Sequence, residues 1–144
     1  YNPENYLNFA NLGSVYQIAG SLGIEDAYTN AVEAYKTAST LNPQNPGIKL
    51  SLANLSLSDG KAKDAESYAK DSLALKSDYI DAWIVLSQIV KSEGNNADAL
   101  YYAQVALSIS PNNKDLKQYV DSLKITADPA PAETSSVAPS KKKK

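Results

Sequence analysis

The sequence predicts an all-α fold, an α-solenoid of antiparallel helix pairs, and three observations lead to this prediction. A set of small and apolar residues recurs after 34 residues, which is a period typical of stacked helical repeats. Within each unit the apolar residues are spaced by three and four positions, as on one face of a helix. Proline, glycine and asparagine separate the units. The recurring positions pair Leu52 with Leu86, Gly60 with Gly94, Ala65 with Ala99, Tyr68 with Tyr102, and Leu73 with Leu107.

The first helix pair is predicted at about residues 3–19 and 25–41. Pro3 favours a helix start, because its fixed φ suits the first helical position and its missing N–H is not needed there. We expect Glu25 and Asp26 to begin the second helix, since acidic side chains are stabilised by the positive end of the helix dipole.

Two more helix pairs and a last helix are predicted after the first pair. Gly60 and Gly94 are expected to end the first helix of each later pair. The last helix has one apolar side and otherwise charged sides, as the end cap of a solenoid requires. From Thr126 the chain is rich in Pro, Ala and Ser and is predicted to be a disordered tail that ends in four lysines. The predicted helices are at about 46–58, 62–75, 79–92, 97–109 and 113–125. They give a repeat domain over 1–125, with units at about 6–45, 46–79 and 80–113. The tail covers 126–144.

The composition excludes several kinds of chemistry. Cysteine and histidine are absent, which excludes disulfides, thiolate nucleophiles, histidine metal sites and Ser-His triads. All 14 basic residues are lysines, so no arginine can clamp a phosphate or carboxylate bidentately. We therefore expect no catalytic residues, no metal site and no cofactor, and we expect that the chain is not an enzyme.

The charge and hydropathy patterns limit the kinds of partner that we expect. Without the four terminal lysines, residues 1–140 carry ten lysines against 16 acids, a net charge of −6. An acidic body argues against sequence-independent nucleic-acid binding, which depends on a basic surface. No apolar run approaches the roughly 18 residues of a membrane-spanning helix.

The motifs resemble those of the tetratricopeptide repeat (TPR) family, in which aromatic-x2-Leu-Gly-x2-Tyr precedes Ala-x3-aromatic and a turn proline. The middle unit departs from the pattern, because Lys49, Ser56 and Ser77 replace the first aromatic, the tyrosine and the proline. The first unit has six extra residues between its halves. The resemblance implies a right-handed superhelix of three repeats and a capping helix. The positions implied to hold the repeats together are Phe9, Leu12, Gly13, Tyr16, Ala31, Tyr35, Ala38, Pro43, Leu52, Ala53, Ala65, Ala69, Trp83, Leu86, Gly94, Ala99, Ala106 and Pro111.

The resemblance also implies a concave groove that binds an extended peptide along the first helix of each pair. The positions that align with the carboxylate clamp of chaperone-binding members are Ala10, Ser14, Asn54, Asp81 and Val85, which are neutral or acidic. We therefore expect an uncharged, glycan-like or Pro/Ala/Ser-type ligand rather than an acidic tail. The residues proposed to line the groove are Asn11, Ser14, Gln17, Ser51, Asn54, Asp81, Ile84, Gln88 and Lys91.

The function expected from the sequence is a non-enzymatic protein-interaction or scaffold module that binds a protein or an extended peptide. A more specific hypothesis is self-assembly into an extracellular fibre, in which the tail of one copy occupies the groove of the next. Missing Met and Cys favour an extracellular or cell-surface location. The alternative is a C-terminal accessory domain of a larger membrane protein, such as a bacterial polysaccharide ligase. Asn54-Leu55-Ser56 is a glycosylation sequon, but a chance match within a helix explains it better.

Overall fold

The computed structural model describes residues 3–127, and this part of the chain consists of seven α-helices with no strand. The all-α prediction is confirmed, and each helix boundary lies within two residues of the predicted one. The helices are α1 (Pro3–Ser21), α2 (Ala27–Leu41), α3 (Pro46–Ser58), α4 (Ala62–Leu75), α5 (Ile80–Ser92), α6 (Asn96–Ile109) and α7 (Lys114–Ala127).

The helices form consecutive antiparallel pairs, which stack into an α-solenoid. α1 packs on α2, α3 on α4, and α5 on α6, and α7 packs on α6 at the end of the stack. Each second helix also packs on the first helix of the following pair, α2 on α3 and α4 on α5. The predicted solenoid of helix pairs is confirmed by this order of contacts.

Small side chains set the close approach of the helices. A methyl group occupies little volume, so two helix backbones can approach closely where alanine lies between them. Gly13 of α1 serves the same purpose, because a Cβ atom built there would lie 2.9 Å from the ring of Tyr35 on α2. The fully buried alanines of the three second helices are Ala31, Ala38, Ala65, Ala69, Ala99, Ala103 and Ala106.

The first helix of every pair ends in the same backbone motif. Gly23, Gly60 and Gly94 have φ angles of +78°, +72° and +84°, a left-handed conformation that glycine adopts without steric cost. At Gly94 the next N–H, that of Asn95, donates to the carbonyl of Val90 at 2.9 Å, which is the Schellman pattern of a helix end. Gly94 is therefore a helix terminator, and its exposure shows that it does not separate two crossing helices.

The start of α2 was predicted wrongly. α2 begins at Ala27, and no acidic residue lies in its first turn. Glu25 and Asp26 instead form a turn, in which the N–H of Ala27 donates to the carbonyl of Ile24 at 3.3 Å. Asp26 then reverses the chain with a φ of +59°, and its side chain makes no capping hydrogen bond.

At the other end α7 continues to Ala127, two residues beyond the predicted end of the domain. The predicted tail from residue 128 onward, with its terminal lysines, lies outside the described residues. Among the helices of the described part, none has both the length and the apolar character to cross a membrane.

Candidate partner-binding groove

The nine residues proposed for the groove lie on α1, α3 and α5, the first helices of the three pairs. α3 and α5 contact one another, so two of these helices form a continuous surface. The exposed residues of the set are Asn11, Ser14, Asp81, Gln88 and Lys91, and the half-buried ones are Gln17, Ser51, Asn54 and Ile84.

A cleft of about 190 Å³ brings two of these residues together with the capping helix. We call it the α5–α7 cleft. Beside the cleft, the ammonium group of Lys91 lies 5.6 Å from the centre of the Tyr119 ring, within the range of a cation–π contact. The α5–α7 cleft thus has an aromatic wall with a positive charge above it. Its lining residues are Ile84, Gln88, Asn113, Asp115, Leu116 and Tyr119.

Buried hydrogen bonds hold Tyr119 in place. The hydroxyl of Ser87, which is fully buried on α5, donates to the carbonyl of Ala99 at 2.6 Å. The Tyr119 hydroxyl lies 3.0 Å from the same Ser87 oxygen. Since the single hydroxyl proton of Ser87 is committed to Ala99, Tyr119 is the donor of the second bond. The wall of the α5–α7 cleft is therefore preorganised by the fold.

A second cleft, of about 260 Å³, lies between the ends of α1 and α3 and the start of α2. We call it the α1–α3 cleft. Gln17 is the groove residue in it, and its Oε1 accepts a hydrogen bond of 3.1 Å from the hydroxyl of Tyr35. Because the carbonyl of this amide is engaged, its NH2 group remains to donate to a ligand. The lining residues are Tyr16, Gln17, Gly20, Ser21, Tyr28, Leu55, Ser58 and Asp59.

Charged groups at the rim of the α1–α3 cleft compensate one another. The ammonium group of Lys61 lies 2.8 Å from a carboxylate oxygen of Asp59 and 4.5 Å from the centre of the Tyr28 ring. The hydrogen bond to Asp59 raises the pKa of Lys61 above its usual value. Lys61 therefore stays protonated near neutral pH and offsets the negative charge at this rim.

The other proposed groove residues are not gathered into either cleft. Neither cleft is lined by Asn11, Ser51, Asn54 or Asp81, and the Ser51 hydroxyl donates to the carbonyl of Gly47 within its own helix. Of the clamp-aligned positions, Val85 is buried and cannot contact a ligand. Within residues 3–127, no three acidic side chains are close enough together to hold a metal ion.

Sequence reasoning missed Tyr119 and Asn113 as lining residues, because it assigned the last helix to capping alone. The 34-residue period contained the signal, since Tyr119 lies 34 positions after Val85 on α5. α7 thus occupies the place of a first helix and extends the surface that α3 and α5 form.

Comparison with known proteins identifies the repeat. A tetratricopeptide repeat family model matches residues 24–89. This part of the chain therefore matches the tetratricopeptide repeat family. No curated protein matches the chain in sequence.

Solved TPR structures share the fold. TTC0263, a thermophilic TPR protein of Thermus thermophilus, is 24% identical with a TM-score of 0.76, and the match covers 86% of this chain and 66% of that one. The first TPR of Spaghetti (RPAP3), bound to the HSP90 peptide SRMEEVD, is 19% identical with a TM-score of 0.75, over 86% and 96% of the two chains. The TPR2B domain of yeast Sti1, in a complex with pHsp70, is 17% identical with a TM-score of 0.72, over 85% and 94%.

Proposed function

We propose that this TPR chain is a protein-interaction module that binds an extended, uncharged or basic peptide along α1, α3, α5 and α7. The α5–α7 cleft carries this proposal. It combines an apolar floor, a fixed aromatic wall and an exposed amide at the position where the family resemblance implies a ligand. The Spaghetti and Sti1 structures support a peptide ligand, because both are complexes with chaperone partners.

The sizes of the two clefts favour a peptide over a small molecule. Pockets for drug-sized ligands measure roughly 300–1,000 Å³. The α5–α7 cleft of about 190 Å³ and the α1–α3 cleft of about 260 Å³ are smaller than this range. Each is suited to one side chain of a peptide whose backbone runs over α3 between them.

The polar groups suit an extended backbone. Peptide recognition of this kind uses main-chain hydrogen bonds for affinity and pockets for specificity. The exposed amide of Gln88 offers both a donor and an acceptor, and the NH2 group of Gln17 offers donors.

The charges of the groove oppose an acidic ligand. Asp115 lines the α5–α7 cleft and Asp81 is exposed on α5, whereas the charge of Asp59 at the α1–α3 cleft is offset by Lys61. Lys91 is the one exposed lysine of the proposed groove set, and it lies over the Tyr119 ring. An acidic peptide such as SRMEEVD would place like charges together here, whereas a neutral or lysine-bearing peptide would not.

Fluorescence anisotropy with two labelled peptides tests the proposal. The first peptide is residues 128–144 of this chain, which is rich in Pro, Ala and Ser and ends in lysines, and the second is SRMEEVD. We expect the first to bind and the second not to bind. Gln88→Ala should weaken binding by about threefold to tenfold, the effect of one hydrogen bond of about 0.5–1.5 kcal/mol.

Gln104→Ala is the matched control, because Gln104 is equally an exposed helical glutamine but lies on α6. It should leave the affinity unchanged. Tighter binding of SRMEEVD than of the first peptide, or equal losses in both glutamine variants, would contradict the proposal.

Self-assembly into an extracellular fibre is a more specific form of this function, in which the groove receives the tail of a neighbouring copy. The acidic groove and the lysines of the tail favour such a contact by their charge. Sedimentation velocity on the full chain and on a chain ending at Ala127 tests it, because the second chain keeps all described residues of α7. Assemblies that grow with concentration and vanish on truncation would support the fibre, and a monomer in both cases would rule it out.

The alternative function, an accessory domain of a larger membrane protein such as a bacterial polysaccharide ligase, has one observation in its favour. Val15 and Ile18 of α1 are 61% and 63% exposed, and an adjoining domain would cover such apolar side chains. Fractionation of the whole gene product tests this alternative. The product would be found in the membrane fraction if it holds and in the aqueous fraction if it does not.

A further inference from the structure

One side of α1 has a row of exposed apolar residues. We call it the α1 outer face and define it by Leu12, Val15, Ile18 and, directly after the helix, Leu22. Their exposed fractions are 42%, 61%, 63% and 76%. The polar residues beside them on α1 are the uncharged Asn8 and Asn11. An uncharged apolar patch of this kind is a mark of an interaction site.

The residues of the next pairs that correspond to Leu12 and Val15 are buried. Alignment of Leu12-Gly13 with Leu52-Ala53 and Leu86-Ser87 places Val15 opposite Leu55 on α3 and Ile89 on α5. Leu52 and Leu86 are each only 2% exposed, against 42% for Leu12. Leu55 and Ile89 are 3% and 0% exposed, against 61% for Val15. The residue types thus suit a buried position, but α1 lacks the cover that α3 and α5 have.

In each later pair the cover is the preceding second helix. Ala31 and Tyr35 of α2 pack with Leu52 and Leu55 of α3 in one buried cluster. The same relation recurs twice along the chain. Ala65 and Ala69 of α4 cluster with Leu86 and Ile89, and Ala99 and Ala103 of α6 cluster with Val120 and Leu123 of α7.

We propose that the α1 outer face binds an amphipathic α-helix of the second-helix type, with alanine at one position and alanine or an aromatic residue four positions later. Such a helix would continue, by one further element, the contact that α2, α4 and α6 make with α3, α5 and α7. This site adjoins the residues proposed for the peptide-binding groove at Asn11, and it does not depend on binding in that groove.

The chemistry of the face selects this occupant over the others. An extended peptide would leave backbone groups unpaired against a surface of aliphatic side chains, whereas a helix satisfies its own backbone. A second copy cannot supply the helix, because α2, α4 and α6 already cover α3, α5 and α7. The exposed side of α7 is charged, with Lys117, Asp121 and Lys124, and burying these charges against an apolar face costs several kcal/mol for each ion.

A peptide with the sequence of residues 61–76, which contains α4, is the probe for this site. Short helices are marginal in water, so the peptide carries Ser67→Glu, and a lactam between this glutamate and the Lys63 amine should hold it helical at two exposed positions. We expect the labelled peptide to bind the full chain in an anisotropy titration. The same peptide with Ala65→Lys and Ala69→Lys should not bind.

Val15→Lys should weaken binding of the α4 peptide at least about tenfold, because it places a charge in the apolar contact. Ile125→Lys is the matched control, since Ile125 is 78% exposed on α7 at the other end of the solenoid, and it should not change the affinity. Circular dichroism checks that each variant is folded. Ile18→Lys, at a residue 63% exposed, replaces Val15→Lys if the latter fails to fold.

Two results would overturn the proposal. The first is an α4 peptide that does not bind the wild-type chain or that binds the Val15→Lys chain equally well. The second is a concentration-dependent dimer in sedimentation equilibrium that Val15→Lys abolishes, because a second copy would then occupy the face.

Discussion

The two ends of the solenoid differ in what they leave exposed. α7 buries Leu116, Val120 and Leu123 and exposes charged residues on its other sides. α1 packs on α2 through Gly13 but exposes Leu12 and Val15. The difference teaches that a repeat sequence encodes an end only where charges replace the packing residues. By this criterion α7 is charged where the earlier first helices pack, and α1 keeps the apolar residues of a packing position.

The charged residues of α7 occupy the positions that pack on a partner helix in the earlier pairs. A further helix pair after α7 would have to bury these charges, which costs several kcal/mol for each ion. Two of them instead pair in water, because the ammonium group of Lys124 lies 2.9 Å from a carboxylate oxygen of Asp121. Counting 34 residues back, Lys117 corresponds to Trp83, Asp121 to Ser87 and Lys124 to Val90.

The largest contrast between the ends is expected from truncating equivalent residues. Leu123 is fully buried on α7, and Leu123→Ala should lower the free energy of unfolding by about 2–5 kcal/mol. Val15 holds the same repeat position on α1. Val15→Ala should lower the free energy of unfolding by less than about 0.5 kcal/mol, since this side chain is mostly exposed. Urea denaturation measures both. Equal losses would mean that the α1 outer face is covered in solution.

Replacing two glycines of α1 by alanine should change the stability of the fold in opposite directions. Gly13→Ala should cost about 1–3 kcal/mol, because the new Cβ would lie 2.9 Å from the Tyr35 ring. Gly20→Ala should instead raise stability by about 0.5–1 kcal/mol, since a Cβ there has 3.8 Å to its nearest neighbours and alanine favours a helix. Thermal melts of the two variants show whether each substitution lowers or raises stability. A stable Gly13→Ala would show that α1 does not pack closely on α2.

The smallest expected difference in stability is between substitutions at the starts of α7 and α2. Asn113 caps α7, because its Oδ1 accepts a 3.0 Å hydrogen bond from the N–H of Leu116, and Asn113→Ala should cost about 0.5–2 kcal/mol. Asp26 precedes α2 without such a bond and with a positive φ. Asp26→Gly should therefore change stability by less than about 0.5 kcal/mol, because relief of strain and added chain entropy nearly cancel. A large loss for Asp26→Gly in urea denaturation would assign that carboxylate a role absent from the structure.

The helices were predictable because their limits are encoded locally. Pro46 after the capping Asn45, and glycines that accept a positive φ, specify their own geometry without reference to the rest of the fold. The start of α2 was not predictable in this way. It depends on the turn at Glu25 and Asp26, where Asp26 takes a positive φ that its residue type does not require.

Exposure and site geometry were less predictable, because both depend on neighbouring helices. Leu12 and Leu52 are the same residue type in the same motif, yet they differ twentyfold in exposed fraction, at 42% and 2%. Tyr119 lies on a helix that was predicted only as an end cap, and its contribution to a cleft depends on the position of α7 beside α5. The groove residues themselves stay a prediction until a ligand is measured.

The single tryptophan gives the molecule a built-in optical reporter. Trp83 donates its indole N–H to the carbonyl of Ser77 at 2.9 Å, and its ring centre lies 5.9 Å from that of Tyr102. Its emission therefore senses the junction of α5 with α4 and α6. Detachment of α1 would leave that signal unchanged, so fluorescence and circular dichroism would separate if the solenoid melts from its α1 end.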